Sequence, residues 1–291
     1  MRKKWNIWLE AITIAGLLAC MSGVAGAQSS QPAQGTQSQP PAQQGDKSKA
    51  PEVTPLTLDV PAPVNAEEDA AYKAFQAVLP DDAAKKIEVG EAFLLKYPES
   101  RYRSPVYGAL TYAYLQSGNT QKMQEYGEKE IALVPNDVSA LALLAQTLPR
   151  SWKSSAPDAL QVLAKAEQYS KQAIEITPTL PKPENMTDEA FASAKNQALA
   201  MAHSGLGLVY VRRGKHAEAI PELEQAVKID PNPDPVNYYL LGMANKITSH
   251  FDDAVAAFNK CAAMAGPMQG TCKTQVDDAK KLGATQLSAP K

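Results

Sequence analysis

A self-similar spacing constrains this chain more than any other feature. His203-x-x-Leu206-Gly207-x-x-Tyr210 is followed by Gly214, Ala219, Leu223, Ala226 and Pro231. Tyr238-x-x-Leu241-Gly242 is followed by Ala254, Phe258, Cys261 and Gly266-Pro267, and the two Leu-Gly pairs stand 35 residues apart. Upstream, Tyr107-x-x-Leu110-Thr111-x-x-Tyr114 leads to Gly118, Met123 and Pro135 at the same offsets. Apolar residues at i, i+3, i+4 and i+7 line one stripe of an amphipathic helix. Small residues at Gly207, Gly242 and Ala219 let two such helices approach closely. Gly118 and Gly214 end the first helix of a pair, where a left-handed backbone is cheapest for glycine, and Pro135 and Pro231 stop the second. One helix pair cannot bury its own apolar face, so neighbouring pairs must stack.

The same spacing settles the stretch "GLVYVRRGKHAEAI" at 207–220, which also invites a phosphate-loop reading. A phosphate loop needs four residues between its outer glycine and Gly-Lys, then Ser or Thr for magnesium. Six residues intervene here, His216 stands in the hydroxyl position, and the preceding "NQALAMAHS" is a helix former rather than a strand. Gly214-Lys215 is a corner between helices.

The pattern resembles the tetratricopeptide repeat, a unit of about 34 residues reading W-x2-L-G-x2-Y, then A-x3-F, then P. The resemblance is clear at about 104–137, 200–233 and 235–267. It implies an all-α fold, an α-solenoid of stacked helix-turn-helix hairpins with a C-terminal capping helix. Residues 138–199 read as an interrupted repeat. "DVSALALLAQT" is its first helix, "LPRSWKSSAP" a lengthened turn and "DALQVLAKAEQYSKQAIEITP" the second helix. "TLPKPENM" is a connector, after which Thr187 N-caps an unusually long helix with acidic residues in its first turn. Glu67 to about Ser100 pairs two helices with the motif letters out of step. "TCKTQVDDAKKLG" closes the stack. Ten to twelve helices and no sheet are expected between Glu67 and Leu282.

Four segments follow: 1–27, 28–65, a repeat domain at 66–283 and a flexible tail at 284–291. Arg2, Lys3 and Lys4 precede an apolar run from Ile7 to Ala19, and Ala25-x-Ala27 has the form cut by signal peptidases. "LLAC" offers a second reading, a lipoprotein signal with lipid on Cys20, and an uncleaved anchor is a third, against which Glu10 counts. Each sends the chain out of the cytoplasm, to the periplasm or cell envelope, or into secretion. Residues 28–65 are rich in Gln, Pro, Ser and Ala, too poor in apolar surface to offset chain entropy, and read as a disordered tether. Of the three cysteines, Cys261 and Cys272 lie in the repeat domain. They either bond, as an even pair does in an exported protein, or are two small core residues.

A formal charge of −2 supplies no basic face for nucleic acid. No metal-binding spacing, nucleophile elbow or cofactor fingerprint is present, so neither catalysis nor a cofactor is expected. His203 fills the large packing position of its repeat, and His216 and His250 fall at bends. The acidic pairs, such as Asp252-Asp253, sit at helix starts, where they suit the helix dipole. A non-enzymatic scaffold that binds a protein or peptide is the leading reading. The alternative is a structural envelope lipoprotein of the outer-membrane assembly type, anchored through Cys20. Membrane contact is expected only through that lipid or an uncleaved leader.

In the family that this chain resembles, the first helix of each repeat lines a concave groove, and residues flanking the packing letters face the ligand. Carried over by position, these are Pro105, Gly108, Tyr112, Leu115 and Gln116 in one unit. In the next they are Met201, Ser204, Leu208, Val211 and Arg212, and in the last Val236, Tyr239, Met243, Lys246 and Ile247. The basic and Asn residues with which some relatives clamp a terminal carboxylate are absent there. The set is largely apolar and aromatic, so either these side chains hold an apolar or amphipathic peptide or they bury against neighbouring helices or the inserted connector.

Overall fold

The computed structural model describes residues 65–184 and 186–288, so the leader and nearly all of the tether lie outside the described residues. Among the described residues the chain is all-α. The elements are α1 (Ala66–Ala77), α2 (Ala83–Lys96), α3 (Arg103–Gln116), α4 (Thr120–Leu133), α5 (Val138–Ser151) and α6 (Ala159–Ile176). A 3-10 turn at Thr177–Thr179 precedes α7 (Asp188–Arg212), α8 (His216–Ile229), α9 (Pro235–Ile247), α10 (Phe251–Ala263) and α11 (Gln269–Ser288). Successive helices pair as five hairpins, and α11 closes the last. No described helix is long and apolar enough to cross a membrane.

Local sequence chemistry sets most of the boundaries. The side chains of Asn65, Asp82, Asn119, Asp137, Thr187 and Asp234 accept backbone N–H groups of the following turn, satisfying donors that a helix start leaves open. Three bends share one backbone pattern. Asn119 N–H donates to Tyr114 O, Lys215 N–H to Tyr210 O and His250 N–H to Asn245 O, at 3.0, 2.9 and 2.8 Å. The residue before each donor takes positive φ: Gly118 at 75°, Gly214 at 74° and Ser249 at 66°. The third bend therefore makes the same turn with serine, which is why the glycine signal vanishes there. Lys86 closes a fourth helix end, its ammonium donating to Phe75 O at 3.0 Å and Val78 O at 2.7 Å at the C-terminus of α1.

The helix α5 is apolar on nearly every side, and a helix of that kind must be enclosed. Its neighbours α4, α6 and α7 enclose it. Leu143, Leu144 and Leu148 join Phe75, Phe93, Leu110 and Met123 in one core cluster, while Leu141 and Ala142 meet Ala173 and Ala202 in another. The expected end of α5 needs correction. The helix does not stop near Thr147 but runs through Pro149 to Ser151. Proline has no N–H, so the carbonyl of Ala145 lacks its helical donor. Gly205 of α7 lies on that carbonyl: a Cβ there would stand 2.3 Å from Ala145 O. The turn to α6 is closed by the Trp152 indole, whose Nε1–H donates to Ala159 O at 2.9 Å.

At the far end α11 is longer than its sequence signal, continuing through residues 284–288. Cys261 of α10 and Cys272 of α11 form a disulfide with Cα atoms 5.9 Å apart, and both residues are fully buried.

Two sets of variants test this packing. Gly205→Ala loses about 1–3 kcal/mol in urea unfolding, because backbone must move to admit the methyl group. Gly207→Ala loses less, since it displaces the Leu223 side chain, 2.6 Å away, rather than backbone. Gly108→Ala gains about 0.5–1 kcal/mol, because its Cβ meets nothing within 4 Å. Equal stability for all three would refute the close approach at Ala145. Replacing Cys261 and Cys272 together with Ser lowers stability by about 2–4 kcal/mol and speeds amide exchange in α11 ahead of the other helices. Unchanged exchange would show that α11 holds its place without the bond.

Candidate partner-binding site

Side chains on the first helix of each hairpin are partly consumed by the next first helix in the stack. α7 packs along α5, and its Ser204 hydroxyl donates to Asn237 Oδ1 of α9 at 2.7 Å in a buried pair. Leu208 and Val236 are buried in the cluster that Leu223, Leu240 and Leu241 share. Met243 packs with Phe258 of α10 and with Val276 and Ala279 of α11. Leu115 joins the N-terminal core. Leu115, Ser204, Leu208, Val236 and Met243 thus offer no contact area, a correction to the expected groove set. Repeat spacing says which flank of a helix they occupy, and tertiary stacking decides what covers that flank.

The remaining positions differ from unit to unit. In α3, Tyr112 is 44% exposed; Pro105 and Gln116 are exposed and Gly108 half-buried. The surrounding protein withdraws water from the Tyr112 hydroxyl and pushes its pKa up, helped by the Asp137 carboxylate and opposed by a hydrogen bond with Ser139. Tyr112 therefore reaches across to the start of α5. In α7, Met201, Val211 and Arg212 are half-buried. In α9, Tyr239 is half-buried with its ring centroid 6.0 Å from that of Phe258. Lys246 donates to Gln275 of α11, and burial pulls its pKa down while Asp278 opposes the shift. Ile247 is exposed at 48%. Two of the histidines bond within the fold: His203 Nδ1 meets Glu222 Oε2 at 2.7 Å, and His250 Nδ1 meets the Thr248 hydroxyl at 2.9 Å.

Several polar residues escaped the sequence reading. Arg150 at the end of α5 donates to Asp234 Oδ2 at 2.9 Å, and Asp234 also caps α9. This ion pair ties α5 to α9, although α7 lies between them in the chain and packs on both. Arg213 donates to Glu167 of α6. Arg212 lies over the Trp152 ring at 5.2 Å. Trp152 carried no signal beyond being an aromatic in a lengthened turn. The two tyrosines Tyr114 and Tyr126 stack at 5.5 Å and both donate to Glu91 Oε1, at 2.6 and 3.1 Å. Glu130 is 2% exposed, with Oε1 accepting from the Ser104 hydroxyl at 2.7 Å and Oε2 buried without a partner. Burial raises its pKa above the ordinary carboxylate value, Ser104 opposes and Asp137 adds to the rise. Among the described residues no three His, Cys, Asp or Glu side chains gather as a metal site.

Glu130 gives a pH signature. Its folded pKa lies above the unfolded one, so its stabilising contribution is complete below the unfolded pKa, about 4.3. That contribution is lost as pH rises through the folded value. Glu130→Gln keeps an acceptor for Ser104 and cannot ionise. It should melt like the wild type near pH 4 and above it at pH 7–8. A difference independent of pH would show that Glu130 stays ionised in the fold.

Comparison with known proteins adds the following. A family model described as tetratricopeptide repeat matches residues 200–233, the C-terminal half of α7 together with α8. No curated protein matches the chain. Solved structures similar to it include a thermophilic TPR protein of Thermus thermophilus, 18% identical, with a TM-score of 0.45, covering 74% of this chain and 99% of its own. MamA of AMB-1 is 16% identical, with a TM-score of 0.46, covering 68% of this chain and 96% of its own.

Proposed function

We propose that this chain, matched at residues 200–233 by a tetratricopeptide repeat model, is a non-enzymatic scaffold that holds an apolar or amphipathic segment of a protein partner against its first helices. The observation that carries this reading is Tyr112. It is a large aromatic left 44% exposed on a first helix, at a place where the matching residues of later units are covered. Tyrosine supplies broad contact area at small rotamer cost. Gln116, one turn on, is exposed beside it, and Met201, Val211 and Tyr239 continue the set as half-buried edges. Positions already committed to helix stacking take no part.

Export through residues 1–27 and a spacer at 28–65 belong to the same reading. The rival, a lipoprotein held through Cys20, rests on "LLAC". Mass spectrometry of the mature N-terminus separates them: a chain starting at Gln28 supports release by signal peptidase, and diacylglycerol on Cys20 supports the anchor.

The binding face is tested by crosslinking in native cells. Tyr112→Ala with Gln116→Ala should lower the melting temperature only slightly, because Tyr112 is 44% exposed and Gln116 exposed, and should abolish the crosslinked partner. The control is Leu95→Asp with Leu160→Asp on second helices, where the leucines are 86% and 81% exposed. Loss of the partner in the control alone would move the interface to the outer face and overturn the proposal.

A further inference from the structure

Among the described residues, Arg101, Arg103, Arg150 and Arg213 each hold an Asp or Glu carboxylate, from Asp69, Glu99, Asp234 and Glu167 in turn. Arg212 is the remaining arginine of the described residues, and none of their carboxylates reaches it. Its guanidinium lies over the Trp152 ring at 5.2 Å, and its Nε is buried without an acceptor. Burial alone pulls its pKa down, with no charged neighbour offsetting the shift. A half-buried cation ordinarily recovers its lost hydration from a counter-charge, and a ring face supplies only part of that. The Trp152 ring covers one side of the guanidinium, and a guanidinium's N–H groups form a planar fork that a carboxylate meets with two parallel bonds.

We propose that Arg212 on Trp152 is the receptor for a side-chain carboxylate, a Glu or Asp within the partner's bound segment; this rests on the scaffold reading above. Its two neighbours point to that source. Arg150, two residues before Trp152, takes the side-chain carboxylate of Asp234 from α9, and Arg213, next to Arg212, takes that of Glu167 from α6. The row of arginines at the ends of α5 and α7 is thus built to receive acids from other helices, and Arg212 is the member that the described residues leave unmatched. The bound segment is therefore amphipathic, its apolar side toward Met201 and Val211 and an acid at the α7 end.

The test uses the full chain and two kinds of probe. First, N-acetylglutamate α-methylamide is titrated while the Arg212 Nε–H and Trp152 Nε1–H resonances are followed by NMR. Saturable shifts are expected, absent with the glutamine analogue and absent in Arg212→Gln. Arg212→Lys, which keeps the charge but not the fork, should bind weakly; it serves as the readout if Arg212→Gln fails to fold. No shift, or the same shifts in the variants, overturns the receptor. N-acetylglycine binding in preference to the glutamate probe would assign the site to a chain terminus and overturn the side-chain source. Second, a blocked amphipathic peptide of Leu and Glu is compared with its Leu and Gln counterpart. The glutamate peptide should bind more tightly, and Arg212→Gln should weaken it roughly tenfold or more while leaving the glutamine peptide unchanged. Equal binding of both peptides, indifferent to Arg212→Gln, overturns the carboxylate receptor and leaves the scaffold reading standing. Shifts from the small probe without binding of either peptide would keep the receptor and sink the scaffold reading.

Discussion

The stack depends on one close approach, that of α7 to α5 at Gly205 and Ala145. A proline near the end of α5 leaves a carbonyl without its helical donor, and a glycine on α7 supplies the only side-chain size that fits against it. The consequence is structural reach. α5 is buried on nearly all sides, so its position transmits to both halves of the molecule. Leu143, Leu144 and Leu148 belong to the core of the N-terminal hairpins, and Leu141 and Ala142 to the layer that α6 and α7 share. Apolar packing of this kind rewards volume matching but tolerates sliding.

Sliding is resisted by polar groups that pair in one register only. Ser204 meets Asn237 in a buried bond, Arg150 meets Asp234, and Arg213 meets Glu167. A stack displaced by one turn would leave these groups buried and unpaired, which costs more than the bonds themselves contribute. Asp234 performs two tasks with its two oxygens, capping α9 and holding Arg150. The helix start and the inter-hairpin register are thereby fixed by the same carboxylate. At the C-terminal end the disulfide between Cys261 and Cys272 takes over this duty for α11, which has a polar outer face and less apolar surface to anchor it.

Stacking also decides which first-helix residues stay uncovered. The flank of each first helix that faces the next hairpin is spent on packing, so the contact set shrinks to the residues that stacking leaves uncovered. These are Tyr112 and Gln116 on α3, the half-buried edges of Met201, Val211 and Tyr239, and the cation of Arg212 on its aromatic shelf. The set is smaller than a repeat count suggests, and it mixes aromatic area with a single unmatched charge. In the proposed scaffold, area would supply affinity without much discrimination, and a half-buried unmatched charge would supply discrimination, because a partner lacking an acid would leave it desolvated.

The amino-acid sequence by itself determined the helices, their pairing and most of their ends. Period-3.6 apolar spacing, Asn, Asp and Thr caps, and glycine at two of three bends are local physics, acting within a few residues of one another. Local physics also marked Gly207 and Gly242, whose missing Cβ atoms face Leu223 and Phe258 within a hairpin. It did not mark Gly205, because the atom it must avoid, Ala145 O, comes from a different hairpin, or the run of α5 through Pro149, because a proline ends a helix unless its neighbours accept the freed carbonyl. Ser249 took a glycine's conformation on the strength of the turn hydrogen bonds around it. The site divides in the same way. The repeat letters named Tyr112, Leu115, Met243 and Arg212 as equals, and only the tertiary structure separated them, burying Leu115 and Met243, leaving Tyr112 partly exposed and laying Arg212 on Trp152. Burial is a property of what arrives from the rest of the chain, and no spacing along a single helix encodes it.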